Sequence, residues 1–414
     1  MRRPIHPGLS PNLEKEDAAV ALGNLIKVFS WRKGKYILAL EQWFERYFKG
    51  YEAISFVSGR GALFAILHSL GIKKGDEVIL QAFTCAAVPQ AIIAAGANPI
   101  YVDIDDSLTM DIEEVVKKIT TKTKAILFQY TFGNPGNIEK VKAIAKERNI
   151  FLIEDAAHVL GVSYKNKKLG AIGDASIFSF GRDKAFSSVS GGIALTKDKM
   201  LAKKIKEFQK RQQFPTYFYV FQQLFHEVMM LYFILRLYDV FNSGKGILVI
   251  LQKLHLLSKP VSTHFDKSFA LEIKKMPNVL SQLALMQVKK LERFNKKRIK
   301  IVKEYQEITE VSGWNKIFLS ESAYLRFPIL TADPKKMKKF FRKKGIYLGD
   351  WYSNCIDPRG TDLSTLLYAT GMCPQAEETA KHILNLPTYP TMSEKDVQKV
   401  IKTMKQWDTR AMKQ

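Results

Sequence analysis

Two short stretches of this chain place side chains that could do chemistry together. EDAAH, residues 154–158, puts Asp155 and His158 directly after an apolar run, and FSFGRDKAFSSVSGG, residues 178–192, holds Lys184 among serines and glycines. An enzyme that uses pyridoxal 5'-phosphate (PLP) needs a lysine amine to hold the cofactor, an acid for its pyridine nitrogen and a partner for its ring oxygen. Asp155 is the candidate for the nitrogen and His158 for the oxygen. The ordinary alternatives are a surface lysine, a helix-capping acid and a buried structural histidine.

The segments around these residues alternate between β-rich runs and helical patterns. The runs DEVILQAF, IYVDID, KAILFQY and IFLIEDAA are separated by PQAIIAAG, DIEEVVKKI and NIEKVKAIAKERN. This alternation predicts an α/β fold whose largely parallel sheet is covered on both faces and binds ligands at the carboxyl ends of its strands. EDAAH is predicted to lie at such an end. Upstream, Gly59 and Gly61 open a predicted helix whose first N–H groups are unpaired.

These segments together resemble the DegT/DnrJ/EryC1/StrS family of sugar aminotransferases. In the lysine segment, Ser179 lies five residues before Lys184, Asp155 lies 29 before it, and Gly191-Gly192 follows. The resemblance covers most of the chain through SGRGAL, LGIKKGDEVIL, GANPIYVDID, FGNPGNIEKVKAIA, EDAAHVLGVSY, MPNVLSQLALMQVKKLERF and AEETAKHILNLPTYP.

The resemblance implies a role for each matching residue. Lys184 would be the Schiff-base lysine and proton shuttle, Asp155 would hold the pyridine nitrogen, and His158 would lie beside the ring hydroxyl, where the family more often has glutamine. Ser179 would bind the cofactor phosphate.

Further positions match the family less closely. Gly59 and Arg60 align with the family's helix start, and would give the phosphate a backbone N–H and a guanidinium. The family's partner-subunit segment is reduced here to EIKKMPN, in which Asn278 and Lys275 are the weaker matches. Cys85 stands where the family usually has an aromatic residue stacked on the cofactor.

The resemblance also implies the fold and the reaction. The fold is PLP fold type I, a large domain with a mostly parallel seven-stranded sheet plus a smaller C-terminal α/β domain, in a homodimer with shared active sites. The expected organisation is an N-terminal arm (1–36), a large PLP-binding domain (37–204), an aromatic-rich insertion (205–275), and a long helix, roughly 279–308, with the small domain (276–414). The reaction moves an amino group from glutamate or glutamine to a nucleotide-linked keto-sugar, for amino-sugar and surface polysaccharide biosynthesis.

Three rival functions remain at this point. A sugar dehydratase of the same fold would replace Lys184, typically with histidine, and another fold type I enzyme would lack the other family segments. A catalytically silent, membrane-associated scaffold would keep the fold and lose the cofactor. Neither the sugar nor the aminated carbon follows from the sequence, and the carrier is either a nucleotide or a lipid diphosphate.

Net charge and cysteine usage narrow the partners and the compartment. The formal charge is +24, with 64 Lys+Arg against 40 Asp+Glu, a field that attracts any polyanion. The basic string KKMKKFFRKKG has the spacing of one amphipathic helix and no nucleic-acid module surrounds it, so nucleic acid is not an expected partner. The three cysteines form no CxxC pair, no metal site is expected, and no apolar segment follows the basic N-terminus. A cytoplasmic protein is predicted.

The aromatic stretch within residues 214–257 has two interpretations. Its longest uninterrupted apolar run, Val228 to Leu235, is far below the ~20 residues that span a bilayer, so a transmembrane helix is not expected. The segment either lies on an anionic membrane surface, at the inner face of the cell membrane, or packs against a second subunit. The lysines in and beside it slightly favour the membrane.

Overall fold

The computed structural model describes residues 4–258, 273–311 and 323–411. The strands in these residues are β1 (Glu52–Phe56), β2 (Glu77–Gln81), β3 (Thr84–Cys85), β4 (Asn98–Val102), β5 (Thr123–Gln129), β6 (Phe151–Asp155), β7 (Ser163–Tyr164), β8 (Lys167–Lys168), β9 (Ala175–Ser179), β10 (Gly192–Thr196), β11 (Phe327–Leu330), β12 (Ile356–Asp357) and β13 (Ile383–Leu386). The α-helices are α1 (Lys15–Leu25), α2 (Lys35–Tyr47), α3 (Gly59–Ser69), α4 (Ala87–Ala94), α5 (Ile112–Lys118), α6 (Ile138–Glu147), α7 (Lys199–Arg211), α8 (Tyr217–Met229), α9 (Leu235–Leu237), α10 (Ser243–Lys253), α11 (Asn278–Lys289), α12 (Leu291–Val311), α13 (Pro334–Lys343), α14 (Pro374–His382) and α15 (Glu394–Ala411).

A seven-stranded sheet forms the centre of the fold, in the order β1-β10-β9-β6-β5-β2-β4. Neighbours from β9 to β4 run parallel, whereas β10 is antiparallel to both β9 and β1. Alternate residues of β2 enter different apolar clusters, with Val78 and Leu80 on one face and Ile79 on the other. Because both faces are buried, the strands read as continuous apolar runs. The predicted α/β fold with a mostly parallel seven-stranded sheet is confirmed.

The sheet brings four chain segments together at one edge. Asp155 ends β6 and Ser179 ends β9, and because these strands are parallel both residues lie at the same edge. Gly192 begins the antiparallel β10 opposite Ser179, and Phe56 at the end of β1 pairs with Gly192. The start of α3 therefore follows at the same edge.

The C-terminal third adds helices and two small sheets. The predicted long helix is two helices, α11 and α12, which are separated at Lys290. β11 and β13 pair antiparallel, while β12 pairs in parallel with β3 and places Asp357 opposite Cys85. The boundaries of the four segments predicted from the sequence remain predictions.

The aromatic insertion is mostly helical and packs on the N-terminal arm. α8 continues through a π-helical turn, Met230–Ile234, into α9, which gives a helix of 21 residues with mean hydropathy 1.3, and half of its most apolar window is buried. By length and composition this helix could cross a membrane, a test that the buried helix of a globular protein also passes. Gln223 and Glu227 are buried polar residues of this helix and interrupt its apolar run. Its buried face meets α1 and Leu13, a packing within one chain that neither interpretation had considered.

Candidate active site

Glu154 and Asp155, the two acids at the end of β6, differ in how many hydrogen bonds their carboxylates accept from the described residues. Buried Glu154 accepts four hydrogen bonds, from a tyrosine hydroxyl and three N–H groups of the loop 170–173. Asp155, 6% exposed, accepts one within the described residues, from the Ala157 N–H at 3.1 Å. Burial raises the pKa of Asp155, and attraction to Lys184, when that amine is charged, opposes the shift. A buried carboxylate with one protein donor suits an N–H donor from a ligand.

Lys184 and His158 meet at the same edge of the sheet. Lys184 Nζ lies 3.0 Å from His158 Nε2, and His158 Nδ1 accepts the Phe132 N–H at 3.1 Å. Because Nδ1 accepts this hydrogen bond, the neutral ring carries its proton on Nε2. Burial, with repulsion from Lys184 and Arg326, holds the pKa of His158 well below its usual value, so the ring is neutral. A neutral histidine 3.0 Å from Nζ gives the lysine amine a hydrogen-bond partner that carries no charge of its own.

The start of α3 approaches β9 so closely that only glycine fits at position 59. A Cβ on Gly59 would lie 2.9 Å from the Cβ and 3.3 Å from the Oγ of Ser179. A Cβ on Gly192 would lie 2.5 Å from the Gly59 nitrogen. Ser58 caps the helix by accepting the Gly61 N–H at 3.1 Å. A serine hydroxyl and the positive end of a helix dipole thus meet in one place, which suits a phosphate.

Arg60 lies in the first turn of α3 beside a neutral partner. Its Nη1 donates to Gln90 Oε1 at 2.6 Å, and among the residues that the structure describes it makes no ion pair with a carboxylate. Burial lowers the pKa of Arg60, with Cys85 and Tyr219 opposing the shift. A half-buried guanidinium with no carboxylate partner among the described residues favours the predicted phosphate role over a surface ion pair.

A sequence profile decides the relationship of this chain to known proteins. The profile of the DegT/DnrJ/EryC1/StrS aminotransferase family matches residues 12–231 and 253–405. The chain belongs to this family. The resemblance drawn from the motifs is confirmed, and the cofactor of the family is PLP.

Relatives of this aminotransferase differ in how much of it they match. GDP-perosamine synthase of Escherichia coli O157:H7 is 39% identical over 178 residues, 43% of this chain and 49% of the synthase, so the match spans about half of that protein. The spore coat polysaccharide biosynthesis protein SpsC of Bacillus subtilis is 26% identical over 90% of each chain. Among solved structures, Helicobacter pylori PseC, an aminotransferase of pseudoaminic acid biosynthesis, gives a TM-score of 0.74 at 22% identity and covers 98% of this chain and 100% of PseC. The predicted PLP fold type I is confirmed.

The site of this family member fits PLP on its own geometry. A lysine amine bonded to a neutral histidine, a buried acid with one protein donor, and a serine against a helix N-terminus match the three polar ends of the cofactor. The individual roles of Lys184, Asp155, His158 and Ser179 remain predictions that this arrangement favours.

Asn278 and Lys275, the two weaker matches to the family, make hydrogen bonds that hold neighbouring segments together. Asn278 Oδ1 accepts the Tyr36 N–H at 2.9 Å, and its Nδ2 donates to the Ser30 carbonyl at 2.8 Å. Lys275 Nζ donates to the Lys210 carbonyl at 2.8 Å. These bonds tie α11 and its approach to the N-terminal arm and to α7, and the cofactor role of Asn278 stays a prediction.

Aromatic rings near Cys85 come from a distant part of the chain. Burial raises the pKa of the Cys85 thiol, which disfavours the nucleophilic thiolate. The pairing of β12 with β3 carries Trp351 and Tyr352 to this edge of the sheet. Their rings form a near-parallel layer with Phe132 and His158, with neighbouring centroids 5.5–6.3 Å apart and interplanar angles of 7–25°. Sequence reasoning missed this layer because no motif surrounds Trp351.

Arg326 was also missed by the sequence analysis. Its guanidinium lies 3.5 Å from the Trp351 ring centroid and pairs with Asp183 at 3.1 Å, and Lys184 Nζ lies 4.8 Å from the same ring. Its Nε is buried and has no hydrogen-bond partner among the described residues. Burial lowers the pKa of Arg326. The only sequence feature that pointed to Arg326 is its ion-pair partner Asp183, which directly precedes Lys184.

The insertion reaches this site as well. The Tyr219 hydroxyl on α8 lies 2.6 Å from Ser190 Oγ, and Ser190 also bonds the Val57 carbonyl, two residues before Gly59. Ser190 thus links the insertion to the segment that leads into α3.

Proposed function

We propose that this protein is a PLP-dependent aminotransferase that transfers an amino group from glutamate, or glutamine, to a keto-sugar carried on a nucleotide. The observation that carries the proposal is the contact of Lys184 Nζ with His158 Nε2 at 3.0 Å, beside a buried Asp155 with one protein donor. The names of GDP-perosamine synthase and SpsC support a sugar substrate and a place in amino-sugar and surface polysaccharide biosynthesis.

Each residue of the site has a proposed role that follows from the hydrogen bonds it can donate or accept. Bound PLP supplies an electron sink that stabilises negative charge at the reacting carbon. The Lys184 amine takes and returns the proton that moves during transfer. His158, with its proton on Nε2, donates a hydrogen bond toward the ring oxygen, and the Asp155 carboxylate keeps the pyridine nitrogen protonated. Ser179 and the N–H groups of α3 hold the phosphate.

The test separates the two halves of the transfer. PLP-loaded protein is mixed with glutamate, and 2-oxoglutarate formation is measured together with the loss of the cofactor's near-visible absorbance. Keto-sugars on GDP, UDP, dTDP or lipid diphosphate are then added, and mass spectrometry detects the replacement of a carbonyl by an amine. A protein that binds PLP but aminates none of these sugars would support another fold type I enzyme, and failure to bind PLP would support a silent scaffold.

A homodimer in the cytoplasm is part of the proposal. Apolar side chains after α1 face solvent, with Ile26 85% and Phe29 101% exposed, which is the expected state of an interface seen in a single chain. Light scattering after size-exclusion chromatography is expected to give twice the chain mass. Phe29→Ser is expected to lower it, and a wild-type monomer would remove this part of the proposal.

Contact with an anionic membrane through residues 214–257 is a second candidate function. The apolar residues that remain exposed on this segment include Phe233, Phe241, Val249, Ile250 and Leu254, and exposed Arg236, Lys245 and Lys253 lie among them. Such a surface gains from burial of its apolar side chains and from anionic headgroups, at about 1 kcal/mol for each basic residue.

Co-sedimentation with vesicles tests this surface. Wild type is expected to bind phosphatidylserine vesicles at low salt and to dissociate as the salt concentration rises, and Phe241→Ser with Ile250→Ser is expected to abolish binding. Val116→Ser, which changes an exposed apolar residue on α5, is the matched control. A dimer that ignores vesicles at every salt concentration would favour subunit packing.

A further inference from the structure

Arg298, on α12, is the largest fully buried side chain among the described residues, at 1% exposure. Its Nη1 donates to Asn295 Oδ1 at 2.9 Å, and its Nη2 donates to Asn12 Oδ1 and to the Ala185 carbonyl, each at 2.8 Å. These acceptors are all neutral, and within the described ranges no carboxylate pairs with this guanidinium. Burial lowers the pKa of Arg298 to about 9, which leaves it charged at neutral pH.

A buried charge without an ionic partner is expensive for a fold. Its desolvation costs several kcal/mol, and apolar residues of similar volume are often neutral or stabilising replacements for buried charges. The nearby Lys290 shows the ordinary solution, since it pairs with Asp17 and Glu14 at 2.9 and 3.0 Å. Arg298 is instead surrounded by neutral oxygens, two of them on side chains and one on the backbone beside Lys184.

Those oxygens connect Arg298 to the lysine loop through two successive carbonyls. Arg298 holds the Ala185 carbonyl directly, and Asn12, which accepts from Arg298, donates through Nδ2 to the Lys184 carbonyl at 2.6 Å. Gln287 supports Asn12 by donating to its backbone carbonyl at 3.3 Å. The Lys184–Ala185 and Ala185–Phe186 peptide groups are thereby held.

The same guanidinium also connects to the loop of His158. Asn295, which accepts from Arg298, donates through Nδ2 to the Leu160 carbonyl at 2.9 Å. A Cβ on Gly161 would lie 2.4 Å from that Nδ2, so the loop packs directly against the amide. One side chain on α12 thus holds both loops that present the reacting groups.

We propose that Arg298 and Asn12 are positioning residues that hold Lys184 Nζ within hydrogen-bonding distance of His158. The inference rests on the proposed function, because it assigns a role to these two residues in that reaction. Charge-assisted bonds from a planar guanidinium fix two loops with little residual freedom, which explains why a charge is retained where an apolar side chain would be less costly. A misplacement of about 1 Å at a reacting group can cost about 100-fold in rate.

Asn12→Asp separates positioning from stability. The aspartate would pair with Arg298 and thus supply the missing carboxylate, but it would lose the donor to the Lys184 carbonyl. We expect unfolding by denaturant to show equal or higher stability, while kcat falls about 10- to 100-fold and KM for the keto-sugar changes less than about threefold. In the protein without cofactor, amides 181–188 are expected to exchange hydrogen faster than in wild type.

Arg298→Gln and Arg298→Lys complete the test. In Arg298→Gln we expect the same loss of kcat and the same faster hydrogen exchange. In Arg298→Lys we expect partial recovery, because lysine keeps the positive charge but lacks the two planar Nη donors. Lys290→Gln, which removes a paired cation from the same region, is the control and is expected to lower stability with wild-type kcat. Wild-type kcat and loop exchange in folded Asn12→Asp would overturn the inference, even if Arg298→Gln fails to fold. If the proposed function is wrong, the wild-type protein itself will show no amino transfer. Hydrogen exchange in the lysine loop needs no turnover, so it tests the positioning role in either case.

Discussion

Asp155→Asn is expected to stabilise the protein without cofactor. The carboxylate is 6% exposed and has one protein hydrogen bond, so its negative charge is poorly compensated. Removing that charge is expected to raise the free energy of unfolding by about 1–3 kcal/mol. For a chain of this length that is roughly 1–4 °C in Tm. Differential scanning fluorimetry after removal of PLP measures the shift.

The pH dependence of this gain follows from the sign of the pKa shift. Burial raises the pKa of Asp155 in the folded protein above its ordinary 3.8. At pH values above this raised pKa, the buried charge lowers the free energy of unfolding. That cost disappears as the pH falls toward 3.8, because the folded state then binds the proton. The excess Tm of Asp155→Asn is therefore expected to be largest at neutral pH and to shrink as the pH is lowered.

With cofactor bound, the same variant is expected to be defective. A neutral amide cannot hold the pyridine nitrogen protonated, and loss of one partner from a buried ion pair costs about 3–5 kcal/mol. The glutamate half-reaction, followed by stopped-flow absorbance, is expected to slow by roughly two to four orders of magnitude.

The neighbouring acid provides a matched control. Glu154→Gln places an amide against donors that now satisfy a carboxylate, and it is expected to cost about 2–4 kcal/mol of stability while the half-reaction of the folded protein stays near the wild-type rate. If Asp155→Asn were less stable than wild type without cofactor, or reacted with glutamate at the wild-type rate, the assignment of Asp155 to the pyridine nitrogen would be wrong.

Other substitutions test the rest of the site. Lys184→Ala is expected to leave the fold intact but abolish turnover and the borohydride-reducible adduct with PLP, and a persistent adduct would move the reactive lysine elsewhere. Arg60→Gln is expected to weaken PLP binding at least about tenfold in an absorbance titration; Arg148→Gln, at an exposed arginine, is expected to leave affinity unchanged, and equal affinities would remove Arg60 from the phosphate site. Gly59→Ala is expected to cost about 1–3 kcal/mol in denaturant unfolding, because its Cβ would press on Ser179, and a neutral effect would mean that the helix start can move away.

The sequence could predict the parts of the site that depend on local order along the chain. Asp155 and Ser179 end parallel strands, and parallel strands deliver their last residues to one edge, so an alternating pattern is enough to bring them together. Lys184 follows Ser179 by a short loop within one recognisable segment. These predictions needed strand ends and short spacings, both of which are visible in a sequence.

The remaining parts depend on contacts between distant segments. Trp351 reaches the site only because β12 pairs with β3, and two-residue strands leave no periodic pattern. Arg298 looked like one more basic residue on a basic helix, since burial of a charge cannot be seen in a pattern of charges. The packing of α8 on the N-terminal arm was missed for a related reason, because polar residues on α8 are buried inside the fold.

The N-terminal arm is held by segments that are synthesised much later than the arm itself. The Tyr347 N–H donates to the Ile5 carbonyl at 2.8 Å, and Thr391 Oγ1 donates to the Pro11 carbonyl at 2.8 Å across 380 residues of sequence. These two hydrogen bonds can therefore form only after most of the chain has left the ribosome. The lysine loop also depends on a late segment, because its Ala185 carbonyl and Asn12 in the arm both bond Arg298. A nascent chain that is released early would carry the central sheet but not a finished lysine loop, and such non-local closure is slow to form.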